Sequence, residues 1–143
     1  MKSCIALAAL LIALYSGGAS AEERSYTEGS VWTMTMIRTA DGFSDVYLES
    51  LGQSYKPILD EAKKQGLVLS WKIIETNAMG PDDWNILLLT EYKNWAAFDG
   101  LDEKFLPILR KTLSQDAERN LMEDRLTVRR FVGDKVGQEL ILR

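Results

Sequence analysis

The chain has 143 residues, 17 basic against 21 acidic side chains and a net charge of −4, with no histidine and one cysteine, Cys4. This acidic balance offers no field to draw a phosphate backbone, which argues against nucleic acid as a partner. Without histidine there is no imidazole base, no histidine-ligated zinc and no Ser-His-Asp triad, and a lone cysteine excludes an internal disulfide.

The chain opens on Lys2, an apolar run from Ile5 to Tyr15, and the small-residue exit Ala19-Ser20-Ala21. That three-part pattern predicts a cleaved secretory signal over residues 1–21 and an exported protein, periplasmic or secreted. The apolar run is about 11 residues, against roughly 20 for a spanning helix. Cys4 precedes the apolar run, so no lipid anchor is expected. Cleavage would remove Lys2 and Cys4 and leave 122 residues at net charge −5, with no thiol chemistry and no second spanning segment. One domain of ordinary size is left, with no membrane partner after cleavage.

Residues 22–30 are polar and read as a flexible arm, and residues 31–143 as the single domain. Val31–Arg38 is β-prone, and Thr39-Ala40-Asp41-Gly42 a turn. Phe43, Tyr47, Leu51, Tyr55, Ile58 and Ala62 recur at helical spacing, which predicts one helix from Phe43 to Gln65 ended by Gly66. Leu67–Glu75 is a second strand, Asn77–Asp83 a loop and Trp84–Tyr92 a third strand. A short helix follows Asn94. A longer one begins at Asp102 and runs to about Met122, with Phe105, Leu106, Leu109, Leu113 and Ala117 on one side. Arg125–Val132 is a fourth strand, Gly133-Asp134-Lys135 a turn and Val136–Leu142 a last strand or tail. Lys56-Pro57-Ile58-Leu59 recurs as Leu106-Pro107-Ile108-Leu109, and each proline is expected to kink its helix.

The order β-α-β-β-α-β predicts an α+β, ferredoxin-like fold with an antiparallel sheet and helices on one face. The other face should then be polar. It is not: Trp32, Met34 and Met36 oppose Val31, Thr33, Thr35 and Ile37, and Leu87 and Leu89 oppose Trp84, Ile86 and Leu88. A patch of that size is more than a soluble monomer tolerates. The expectation is a homodimer, two sheets face to face in a barrel, with Gly137–Leu142 added to the partner's sheet edge.

Residues 55–67 (YKPILDEAKKQGL) and 90–98 (TEYKNWAAF) resemble the dimeric α+β-barrel superfamily, which holds antibiotic-biosynthesis-type monooxygenases and NIPSNAP-like proteins. The resemblance implies that fold and assembly. It does not choose an activity, because members include oxygenases, isomerases, decarboxylases, haem-handling enzymes and proteins without one. Cofactor-free oxygenases of this group often carry a histidine after the short helix; this chain has Asp99-Gly100-Leu101 there, which weighs against that chemistry.

Three readings of function stay open. Trp32, Trp71, Trp84, Tyr92 and Asn85 are candidate walls of a pocket for a small apolar or aromatic organic ligand. Glu91, with Arg38 or Arg130, is a candidate catalytic set, a buried carboxylate of raised pKa serving as base and a guanidinium holding an anion, for isomerisation or cofactor-free oxidation. Lys72 and Asn85 also interrupt apolar strands. A dimer packed solid by its own side chains is the third reading. No metal or cofactor is called for: Asp82-Asp83 and Glu118, Glu123 and Asp124 form no calcium loop, and no Gly-rich phosphate loop is present.

Overall fold

The computed structural model describes residues 24–113 and 127–143. The expected signal segment, the far end of the second long helix and the cluster Glu118, Glu123 and Asp124 lie outside the described residues. The elements are β1 (Tyr26–Thr39), α1 (Ser44–Gln53), α2 (Tyr55–Lys64), β2 (Ser70–Glu75), β3 (Ile86–Tyr92), a 3₁₀ turn (Trp95–Phe98), α3 (Leu101–Thr112) and β4 (Arg129–Leu142). The four strands run antiparallel in the order β2-β3-β1-β4. This is the ferredoxin-like α+β fold, a split βαβ with β3 inserted between β1 and β2. No helix among the described residues is long and apolar enough to cross a membrane.

The single helix expected from Phe43 to Gln65 is two. Pro57 has no N–H to give the carbonyl four residues back, so the ladder fails there. The chain breaks at Ser54 (φ −118°, ψ −58°), whose hydroxyl bonds back to the Ser50 carbonyl at 2.7 Å. Pro57 thereby sits in the first turn of α2, where a missing N–H costs little. Its apparent repeat, Pro107, lies inside an unbroken α3. The two helices are not one design used twice. Gly66, at φ 74°, closes α2 as the sequence predicts.

The helices bury one face of the sheet. Ile37, Ile86, Leu88 and Val128 pack with Tyr47 and Leu51 at one end, and Val68 and Tyr92 with Ala62 and Ile108 at the other. Between them Thr33 stands opposite Thr90, whose hydroxyl meets the Tyr55 hydroxyl at 3.1 Å. Each polar atom in this stretch of core has a partner, as burial requires.

Two expectations about the chain ends are corrected. The flexible arm is strand from Tyr26 onward, because Tyr26, Thr27 and Glu28 pair with Leu142, Ile141 and Leu140. The turn at Gly133-Asp134-Lys135 is also strand: these residues pair with Met36, Thr35 and Met34, and Val132 is absorbed as a bulge opposite the Met36–Ile37 step. Fourteen residues of β1 offer a continuous row of backbone partners, and a ladder satisfies more N–H and C=O groups than a turn would. The C-terminal segment pairs along one side with its own β1.

Asn85 ties the turn after β1 to the start of β3. Its Oδ1 accepts from the Thr39 N–H (2.8 Å), and its Nδ2 donates to Thr39 Oγ1 (2.7 Å) and Ser44 Oγ (3.1 Å). Asn85→Ala strands the N–H of a buried threonine, and is expected to lower unfolding free energy by about 2 kcal/mol in chemical denaturation.

Candidate functional site

Strand alternation places four rows of side chains on the sheet face that no described helix covers. From β2 to β4 the rows read Ser70, Glu91, Trp32, Gly137; then Lys72, Leu89, Met34, Lys135; then Ile74, Leu87, Met36, Gly133; and last, on β1 and β4 alone, Arg38 and Arg130. The middle of this face is apolar, and its charges lie at the edges.

Gly137 makes the face concave. With no side chain beside Trp32, the Met34 methyl swings over it, so that a Cβ at position 137 would lie 3.1 Å from Met34 Cε. The result is a cleft of about 410 Å³ lined by Trp32, Met34, Lys72, Leu89, Gly137, Gln138 and Glu139. Its walls are mainly indole, thioether and isobutyl groups. The Lys72 ammonium stands 5.4 Å from the centre of the Trp32 ring.

Glu91 flanks the cleft in Trp32's row. Its carboxyl accepts from the Ser70 hydroxyl, the main reason its pKa lies below the ordinary glutamate value; partial burial opposes this, and Ser30 and the Lys72 charge add to it. The raised pKa expected of a general base is thus a lowered one. Ser30 also donates to Glu139 Oε2 at 3.3 Å. A carboxylate so held is ionised at neutral pH and a poor proton acceptor.

The proposed catalytic set is not assembled in one copy. Arg38 and Arg130 face each other across β1 and β4, but six positions along β1 from Trp32, the partner of Glu91. At about 3.3 Å per residue that is roughly 20 Å. Both are engaged locally: Arg38 with Asp41 at 3.4 Å, Arg130 with the Pro81 carbonyl at 2.7 Å and Asp82 at 3.7 Å. They border a groove of about 390 Å³ with Arg129.

The candidate ligand walls are divided as well. Trp32 alone lines the cleft. Trp71 is on the helix side of β2, edge-on to Tyr55 with ring centres 6.0 Å apart, and its indole N–H donates to Asp60 at 3.1 Å. Tyr92 is buried on that side against Phe98, and burial pushes its hydroxyl pKa up. Trp84 lies in the loop before β3, and Asn85 spends its amide on Thr39 and Ser44. The residues that complete the cleft, Met34, Leu89, Gly137 and Glu139, were readable only in part. Alternation puts Met34 and Leu89 with Trp32, but nothing local announces that β4 runs alongside.

No family model and no curated protein matches the chain. Among solved structures it is similar to HapK from Hahella chejuensis (15% identity, TM-score 0.43, covering 76% of this chain and 91% of that one). It is also similar to a dimeric ferredoxin-like protein from an uncultured marine organism (13% identity, TM-score 0.47, covering 82% and 90%).

The Ser70 bond gives the carboxyl a testable signature. Because the folded pKa of Glu91 is depressed, the contribution of this bond to stability is present above the unfolded-state value and is lost as pH falls through the folded one. Ser70→Ala is expected to move the Glu91 midpoint upward in a carboxyl NMR titration. An unmoved midpoint would show that Ser70 does not hold the charge.

Proposed function

We propose that the protein is a homodimeric binding protein in which the uncovered sheet faces of two copies meet, and the cleft beside Trp32 holds a small apolar, aromatic organic molecule. One observation carries the reading: the apolar cleft of about 410 Å³ opened on that face by Gly137. Its volume is in the range of small-molecule sites, and its few polar groups stand at the rim. Ile74, on the same face, is 44% exposed in a single copy.

The rim suits a two-fold partner. Around the cleft Lys72 and Lys135 balance Glu91 and Glu139, while Arg38 and Arg130 lie at the far end of the same face. A copy rotated about a two-fold axis can set lysine against glutamate without juxtaposing like charges. Catalysis by Glu91 has less support, since the Ser70 hydrogen bond lowers its pKa and makes it a weak base, and it stands far from Arg38 and Arg130 within one copy. Residues 1–21 retain the pattern of an export signal, and we place the mature start at Glu22. Intact mass of the protein recovered after export is expected to correspond to that start.

The assembly is tested by sedimentation equilibrium at micromolar concentration. The purified protein is expected to be dimeric, and Leu89→Lys, which places a charge at the centre of the face, to raise the dimer Kd more than about tenfold. The site is tested by quenching of tryptophan fluorescence with 2-naphthol. Gly137→Leu fills the cleft floor and is expected to weaken saturable quenching by about tenfold while the fold persists. A monomeric wild-type protein refutes the assembly, and quenching that Gly137→Leu leaves unchanged refutes the site.

A further inference from the structure

Where β1 ends and β4 begins, Arg38, Arg129 and Arg130 line one groove of about 390 Å³ with Thr39, Ala40, Asp41 and Thr127. Three guanidinium groups are thus gathered on a chain whose net charge is −4. Arg38 and Arg130 stand directly opposite each other across the β1–β4 pair. Like charges directly opposite destabilise a strand pair, so the arrangement favours an anion beside them.

The bulge at Val132 produces this pairing. In a register continued unbroken from Met36 opposite Gly133, Arg38 would meet Phe131, and Thr39 would meet Arg130. The extra residue shifts β4 by one, which brings Arg130 to Arg38 and Arg129 to Thr39. Bulges re-aim side chains in this way, often beside functional sites. The groove lies at the end of the ladder, whose last rung runs from the Ala40 N–H to the Val128 carbonyl at 2.9 Å. Arginines from both sides of the sheet therefore border it.

The contacts these arginines make leave room for a ligand. The Arg129 guanidinium stands 5.6 Å from the centre of the buried Tyr47 ring, which braces it from one side. Its Nε is buried without a hydrogen-bond partner, a costly state for a charged donor. Arg38 meets Asp41 at 3.4 Å and Arg130 meets Asp82 at 3.7 Å, and both aspartates are almost fully exposed. Solvated pairs of that length contribute little. Arg130 also donates to the Pro81 carbonyl at 2.7 Å. A guanidinium carries five N–H donors, more than these contacts use.

Donor geometry indicates the ligand. Arginine forks hold oxyanions through paired N–H bonds. A carboxylate brings two oxygens and a single charge. A phosphoryl group brings three oxygens and up to two charges, an oxygen for each guanidinium. We propose that this groove binds the phosphoryl group of a small phosphate monoester or of free phosphate, held by Arg38, Arg129 and Arg130. The site lies roughly 20 Å along β1 from Trp32 and does not depend on the reading of the cleft.

The test is isothermal titration calorimetry of the purified protein in a phosphate-free buffer of fixed ionic strength, with circular dichroism to report folding. The probes are phenyl phosphate, inorganic phosphate and benzoate. Saturable binding of a phosphate is expected; tighter binding of phenyl phosphate assigns an ester, and equal or tighter binding of inorganic phosphate assigns the free ion. Arg129→Gln, and the double variant Arg38→Gln with Arg130→Gln, are each expected to weaken that binding by about tenfold or more. Lys135→Gln, which removes a positive charge elsewhere on β4, is expected to leave it within about twofold. If Arg129→Gln disturbs packing on Tyr47, the double variant carries the test. Absence of saturable binding by either phosphate, benzoate binding as tightly as phenyl phosphate, binding unchanged in the arginine variants, or an equal loss in Lys135→Gln overturns the site.

Discussion

A strand has two sides, and this chain supplies helices for only one of them among its described residues. β1 carries the consequence: along its central residues Val31, Thr33, Thr35 and Ile37 face helices, and Trp32, Met34 and Met36 face outward. A polar outward row would let the domain stand alone, as antiparallel sheets with one wet face do. The outward row here is nearly as apolar as the inward one. The inward face shapes the domain, and the outward face carries the apolar cleft.

The two faces treat polar groups in opposite ways. On the helix side, Thr39, Thr90, Tyr55 and Asn85 meet one another in closed pairs, so their donors and acceptors are used within the fold. On the outer side, Lys72, Lys135, Glu91 and Glu139 stand at the margin of an apolar strip and keep contact with solvent. Polar groups of the first kind specify how β3 and the helices seat on β1. Those of the second kind make only local contacts at the rim of the uncovered face.

The architecture was legible because strand and helix periods are local. Trp32-Thr33-Met34-Thr35-Met36 alternates, the Phe43-to-Ala62 spacing is helical, and Gly66 marks a helix end; the element order follows from these. What was not legible depended on pairing between distant segments. Gly133-Asp134-Lys135 has turn composition, yet it is strand because β1 is long enough to pair with it. The polar stretch before Val31 is strand because Ile141 and Leu142 return beside it. The site suffered most: Trp71 and Trp32 look equivalent in sequence, but Trp71 pairs with Thr90 and Trp32 with Glu91, on opposite faces. A one-residue difference in register separates a core tryptophan from a cleft tryptophan.

Lys72 over Trp32 shows how the outer face is managed in a single copy. An exposed ammonium over an indole contributes about 0.5–1 kcal/mol, and the lysine stem shields part of the ring from water. Burying a large apolar side chain fully is worth roughly 1.5–3 kcal/mol. Covering Trp32 with another apolar surface, whether a ligand ring or a second copy, therefore outweighs the lysine that now covers it. Glu91, held by the Ser70 hydroxyl, also feels the Lys72 charge, which helps to lower its pKa. The carboxylate that sequence patterning suggested as a base is, in this geometry, held by the Ser70 hydroxyl and serves as a counter-charge to Lys72 at the margin of the cleft.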